Sequence, residues 1–129
     1  MPWKFEQEGI QRTISSAEYA LINKMLSVRF SGSAELRVQL DSIDLRVTSW
    51  GEILHIDFLT QPAVKAKTKY QVPVEANSND LDGMEINVSL HVVDGLLYEF
   101  EVYRVDGEWI AQPPAPESLH DFFFAGEPF

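Results

Sequence analysis

The sequence predicts an α+β domain: one N-terminal helix packed on a mostly antiparallel, twisted sheet of about six to seven strands that ends in a β-meander. Three observations carry that expectation. The stretch SSAEYALINKMLS has a capping box and a helical apolar stripe; later segments alternate apolar and polar residues; and the tripeptide Val-Asp-Gly occurs twice, at 93–95 and 105–107, where strands need turns. A chain of 129 residues is long enough for one real core and too short for two, so residues 1–129 are read as a single domain.

The helix is placed at about residues 16–30, with Ser15 as N-cap and Glu18 returning the bond three residues on. Leu21, Ile22, Met25 and Leu26 share one helical face, while Asn23, Lys24 and Ser27 lie toward the other. Ser31-Gly32-Ser33 ends the helix, and strands are expected over about 34–59 and 70–111. In AELRVQL, Leu36, Val38 and Leu40 alternate with Glu35, Arg37 and Gln39, as in a half-buried strand. The parity then flips to Ile43, Leu45 and Val47, which requires a bulge or a tight turn near Asp41-Ser42. Trp50-Gly51-Glu52 reads as the next turn, and the nearly continuous apolar run ILHIDFL as a central strand covered on both faces. TQPAVKAKTKYQ is an exposed connection through Pro62 whose Lys65, Lys67 and Lys69 suit a strand edge.

YQVPVEA contains Pro73 and so belongs at an edge or bulge, and NSNDLDG is a loop. MEINVSLHV then alternates cleanly, with Met84, Ile86, Val88, Leu90 and Val92 on one side. A two-residue Asp94-Gly95 turn would set Leu90 against Glu99. A three-residue loop, Val93-Asp94-Gly95, instead pairs Leu90 with Tyr98, Val88 with Phe100 and Ile86 with Val102. The second tripeptide, read likewise, pairs Val102 with Ile110. This register leaves an acidic and aromatic second face, in which Glu99 lies opposite Ser89, Glu101 opposite Asn87, and Tyr103 between Glu85 and Trp109. Residues 112–117 are a proline-rich linker. The tail 118–129 carries Leu119, Phe122, Phe123, Phe124 and Phe129, too apolar to stay in water, and is expected to dock on its own domain.

Charge is unevenly placed. Residues 1–69 hold eight acids and nine bases, and residues 70–129 hold twelve acids and one base, Arg104, so net charges of +1 and −11 make up the total of −10. An acidic half disfavours nucleic acid and anionic lipid and steers basic partners inward. The absence of cysteine removes disulfide and thiolate chemistry and suits a reducing cytoplasm. MPWKFEQEGIQRT lacks the apolar run of a signal peptide, and no stretch approaches the ~20 apolar residues of a membrane span.

Chemistry is sparse. His55 and Asp57 stand two apart on a strand and point the same way, as a base and its orienter or as two metal ligands, but no third ligand is identifiable and His91 and His120 belong to other elements. There is no nucleophile elbow, Ser-x-x-Lys or phosphate-cradling glycine loop, so the chain reads as a binding protein rather than an enzyme, with no cofactor or metal implied. The residues chosen for partner binding are Glu99, Glu101, Tyr103 and Trp109, then Asp80, Asp82, Glu85 and Glu108. The alternative is a small-ligand or minor enzymatic pocket between helix and sheet near His55 and Asp57.

ISSAEYALINKML and the later VPVEANSNDLDGMEINVSLHVVDGLLYEFEVYRVDGEWI together resemble a family of small bacterial domains of unassigned biochemistry, over roughly residues 12–118. Such domains are similar to the immunity partners of bacterial toxin–immunity systems, including those of contact-dependent growth inhibition. The resemblance implies a small acidic cytoplasmic protein, monomeric or weakly dimeric, that binds a cognate toxin domain stoichiometrically. Joined to the charge map, it points to a basic toxin, most plausibly a nuclease. It transfers no catalytic residues.

Overall fold

The computed structural model describes residues 10–42, 45–49, 55–59, 64–68 and 70–123. The fold is α+β, with two helices and a seven-stranded antiparallel sheet among these residues. Helix α1 spans Ser16–Leu26. Its capping box is present as expected: the Ser15 hydroxyl accepts from the Glu18 amide at 3.1 Å, and the Glu18 carboxylate accepts from the Ser15 amide at 2.9 Å. Arg12 closes on the same carboxylate with two bonds of 2.8 and 2.6 Å, fastening strand β1 (Ile10–Arg12) to the start of the helix. Burial would raise the Glu18 carboxyl, but the Arg12 and Ser15 bonds prevail and hold it below its ordinary range. Leu21, Ile22, Met25 and Leu26 are all buried.

AELRVQL is a helix, not a strand: α2 covers Ser33–Leu40. Leu36 and Leu40 satisfy both periods, two apart through Val38 and four apart along a helix, so only Val38 separates the two readings. It is 56% exposed, while Leu36, Leu40 and Gln39 are buried. A run of Ala, Glu, Leu, Arg and Gln also favours a helix intrinsically. Gly32, at φ 95°, makes the break that lets α2 fold back against α1. Buried Gln39 then does work no strand residue could. Its amide donates to the Val64 and Gly95 carbonyls, each at 2.8 Å, and its oxygen accepts from the Leu97 amide at 2.9 Å, tying α2 to a loop and to the sheet.

The strands are β2 (Arg46–Ser49), β3 (His55–Leu59), β4 (Val74–Asn79), β5 (Glu85–Val93), β6 (Leu96–Arg104) and β7 (His120–Phe123). Their order, β1-β2-β3-β6-β5-β4-β7, places the β4–β6 meander against β3. Pro73 precedes β4 rather than interrupting it, and Asn77–Asn79 extend that strand into the expected loop. Strand β3 is central but not covered on both sides: Ile56 and Phe58 are buried, while His55 and Asp57 are only half-buried. Ile43, Trp50-Gly51-Glu52, Ile53, Leu54, Pro62, Lys69, Phe124 and Phe129 lie outside the described residues.

The β5–β6 register differs from the sequence expectation by two residues. Val93 pairs with Leu96, so the turn is the two-residue Asp94-Gly95, and both residues have positive φ, 54° and 79°. An irregularity follows at once: Val92 pairs with Leu97 but His91 pairs with Glu99, leaving Tyr98 as the extra residue of a bulge. The bulge restores the parity that a plain two-residue turn would have inverted. Leu90 therefore meets Phe100 and Val88 meets Val102. The second Val-Asp-Gly turns the chain but starts no strand: β6 ends at Arg104, and Trp109 and Ile110 lie outside the sheet.

The described part of the tail, residues 118–123, docks as its composition requires. Leu119 is buried in the core cluster, Phe122 packs against it, and β7 pairs with β4, while Phe123 stays exposed. The core lies between the two helices and one face of the sheet, built from Val47, Ile56, Val74, Ile86, Leu90 and Phe100 with their neighbours.

Two outcomes test this account. Gln39→Leu takes the acceptor from the buried Leu97 amide and a donor from the Val64 and Gly95 carbonyls, and should lower stability by about 1–3 kcal/mol in urea denaturation. Gly95→Ala should cost more than Gly107→Ala. Both glycines have positive φ, worth roughly 1–2 kcal/mol of strain, but a Cβ at Gly95 would stand 2.5 Å from the Ala66 carbonyl oxygen, whereas nothing lies within 4 Å at Gly107.

Candidate functional site

Alternation divides the sheet into two chemically opposite faces. The residues whose neighbours are buried against the helices turn the other way: His55 and Asp57 on β3, Glu99, Glu101 and Tyr103 on β6, Glu85, Asn87, Ser89 and His91 on β5, and Glu75 and Asn77 on β4. Among the described residues, both helices lie on the opposite side. The pocket expected between helix and sheet near His55 and Asp57 is therefore not where these side chains are; they stand on the open face.

The register assembles a cluster there. Asp57 pairs with Glu99, His55 with Glu101, Ser89 with Glu101, and His91 with Glu99. His55 Nε2 lies 2.6 Å from Glu99 Oε2 and 3.5 Å from Asp57 Oδ1. On the other side of Glu99, His91 Nδ1 is 3.9 Å from Oε1, and His91 Nε2 is 4.0 Å from Glu101 Oε1 and 3.3 Å from the Ser89 hydroxyl. Asn87 donates to Glu75 and Asn77 at 3.2 and 3.3 Å. The third acidic or ligating group that sequence reading did not find beside His55 and Asp57 is Glu99, delivered from a strand more than forty positions away by the β3–β6 pairing.

A second cluster closes the end of the sheet. Arg104 ends β6 on the core side and is buried. All of its guanidinium nitrogens are engaged. Nε donates to Asp106 at 3.0 Å, Nη1 to Asp80 at 2.8 Å and Asp82 at 3.2 Å, and Nη2 to Asp82 at 3.1 Å and Asp106 at 2.8 Å. Asp80 also accepts from the amides of Ala111 (2.8 Å), Gln112 (3.0 Å) and Leu81 (2.8 Å). The Ala111 amide foremost, with Arg104 and the other amides, lowers the Asp80 carboxyl to about 2 against the cost of burial. Arg104 and the Glu108 amide lower Asp106 to about 2, and the Met84 amide and Arg104 lower Asp82. Arg104 is itself raised, by Asp106 first and then Asp80.

The eight residues expected to bind a partner thus separate. Glu85, Glu99, Glu101 and Tyr103 share the open face. Trp109 and Glu108 are exposed but sit on the loop after β6. Asp80 is removed from the surface altogether, its side chain fully buried, and Asp82 is a partner of Arg104 even though it is exposed. The single base of the acidic half is the internal counter-ion of three aspartates, a role for which only the charge count hinted.

Fold and face together define a small α+β domain with one side of its sheet built for the core and the other for polar contact. Residues 11–114 match the family described as a domain of unknown function (DUF6984), and the chain belongs to that family. No curated protein and no solved structure matches the chain. No helix of the described residues is long and apolar enough to cross a membrane.

The aspartate cluster gives a pH prediction. Asp80 and Asp106 have folded pKa values of about 2, below the usual ~3.9. The unfolded chain binds more protons between those values, so the contribution to stability is complete above about pH 4 and is lost as pH falls through 2. Urea midpoints measured from pH 5 to pH 2 should drop steeply below pH 4, and Asp80→Asn should lower the plateau and flatten the drop.

Proposed function

We propose that this chain is a binding protein, monomeric or weakly dimeric, that captures a basic protein partner on the open face of its sheet, acting by occupancy and not by catalysis. The observation that carries this reading is the placement of Glu85, Glu99, Glu101 and Tyr103 together on the face turned away from both helices. The half-buried carboxylates of Glu99 and Glu101 on β6 lose little freedom on binding, and an exposed Tyr103 on the same strand offers a rigid aromatic contact beside them. An electronegative surface of this kind accelerates encounter with a cationic groove and repels nucleic acid. Trp109, on the neighbouring loop, extends the same reading to the rim.

The resemblance of the α1 and hairpin segments to immunity-type domains supports a bacterial toxin as the partner. A nuclease toxin fits best, because carboxylates can occupy the cationic groove that otherwise takes phosphate. Neutralisation would take place in the cytoplasm, which the cysteine-free composition suits.

The test is co-expression with the products of adjacent genes, followed by purification in low and moderate salt. A basic domain should be retained one-to-one and should be toxic when expressed alone. Glu99→Lys with Glu101→Lys should keep the circular dichroism spectrum and weaken that complex at least about thirtyfold, as for desolvated charge pairs worth about 2–5 kcal/mol. Retention unchanged by the double substitution would remove this face from the interface.

A further inference from the structure

We propose that His55, Asp57 and Glu99 form a binding site for a divalent transition-metal cation of the zinc type. This goes beyond capture of a protein partner and does not depend on it. The three side chains come from adjacent positions of β3 and β6 and offer one imidazole nitrogen and two carboxylate oxygens, all within 4.8 Å of one another. The paired backbones fix their spacing, so the donors converge without any loop having to order.

The state of His55 carries the inference. Its Nε2 is shut off from solvent and has no hydrogen-bond partner. Nevertheless it lies 2.6 Å from Glu99 Oε2 and 3.5 Å from Asp57 Oδ1. Proximity without hydrogen-bond geometry leaves a buried nitrogen unsatisfied among oxygens, an arrangement that ordinarily costs free energy. A cation between the three groups gives the nitrogen the partner it lacks and takes the charge of Glu99 and Asp57 beside it. Zinc bonds of about 2.0–2.2 Å set tetrahedral donors about 3.4 Å apart. The His55–Asp57 separation already matches that edge, and Glu99 needs to retreat by about 1 Å.

Donor chemistry selects the cation. Magnesium and calcium take all-oxygen sites, and copper(I) takes thiolate or thioether, whereas one imidazole with two carboxylates suits zinc and its neighbours in the first row. Three protein ligands leave a fourth position for water or a ligand atom. Next to the ligands, His91 faces the second oxygen of Glu99 at 3.9 Å, placed to orient that carboxylate, as outer partners of metal ligands do.

The experiment uses the untagged full chain, titrated with zinc chloride and separately with magnesium chloride, and read by calorimetry and thermal denaturation. One equivalent of zinc should bind and raise the melting temperature, and magnesium should do neither. Loss of an outer partner alone weakens such sites about 10–100-fold, so His55→Ala and Glu99→Gln should weaken zinc binding by more than that. His120→Ala, which alters a histidine bonded to Asn79 on the far edge strand, should leave it unchanged. Glu99→Gln keeps the side chain's size, so a retained fold with lost zinc binding isolates the ligand role. Absence of one-site zinc binding in the parent chain, or equal binding by correctly folded His55→Ala and Glu99→Gln, would overturn the proposal.

Discussion

Arg104 sets the constraint on which the C-terminal half depends. It ends β6 facing the core, where an unpaired guanidinium would be prohibitive, and it is tolerable because three aspartates use every nitrogen it has. Those aspartates come from the β4–β5 loop and from the turn after β6, so one residue fastens the first turn of the meander to its exit. Asp80 extends the effect: its remaining capacity is taken by the amides of Ala111 and Gln112, which draws the chain across the loop instead of back along the sheet. From there Leu119 reaches the core and β7 covers the edge of β4. The second Val-Asp-Gly consequently ends the meander where the first one continues it.

The same arrangement shapes the charge that a partner would meet. The acidic half has one cation, and it is spent inside the molecule. On the face away from the helices, Glu99 lies beside His55 and His91, and Glu75 accepts from Asn87. Among the described residues no helix packs on this face, and strand pairing holds its groups in register. Both properties fit the proposed recognition of a basic surface, and both fit the proposed cation site at His55, Asp57 and Glu99.

Much of the fold was legible in local chemistry. The Ser15–Glu18 capping box, the α1 stripe, the alternation from Ile86 to Val92 and the apolar tail each involve residues a few positions apart, and each takes the form its pattern implies. Readings failed where two local solutions were degenerate. Leu36 and Leu40 fit a strand and a helix equally, and exposure of Val38 became decisive only once α2 had α1 to pack against. Likewise, a three-residue loop and a two-residue turn followed by a bulge at Tyr98 both keep Leu90 facing an apolar residue, so parity alone could not choose the partner.

Composition and short-range pattern by themselves determined the α+β class, the helical cap, the two faces of the β5–β6 region and the concentration of acid after residue 70. Tertiary structure alone decided which carboxylates remain on the surface and which are consumed, and it alone brought Glu99 to His55 and Asp57. The reason is physical: propensity and periodicity act over a turn or a strand, whereas cross-strand register and burial of charge are set by the free energy of the whole packed sheet. Asp80 and Glu101 look alike along the chain; one is buried against Arg104 and the other lies half-open beside His55 and Ser89.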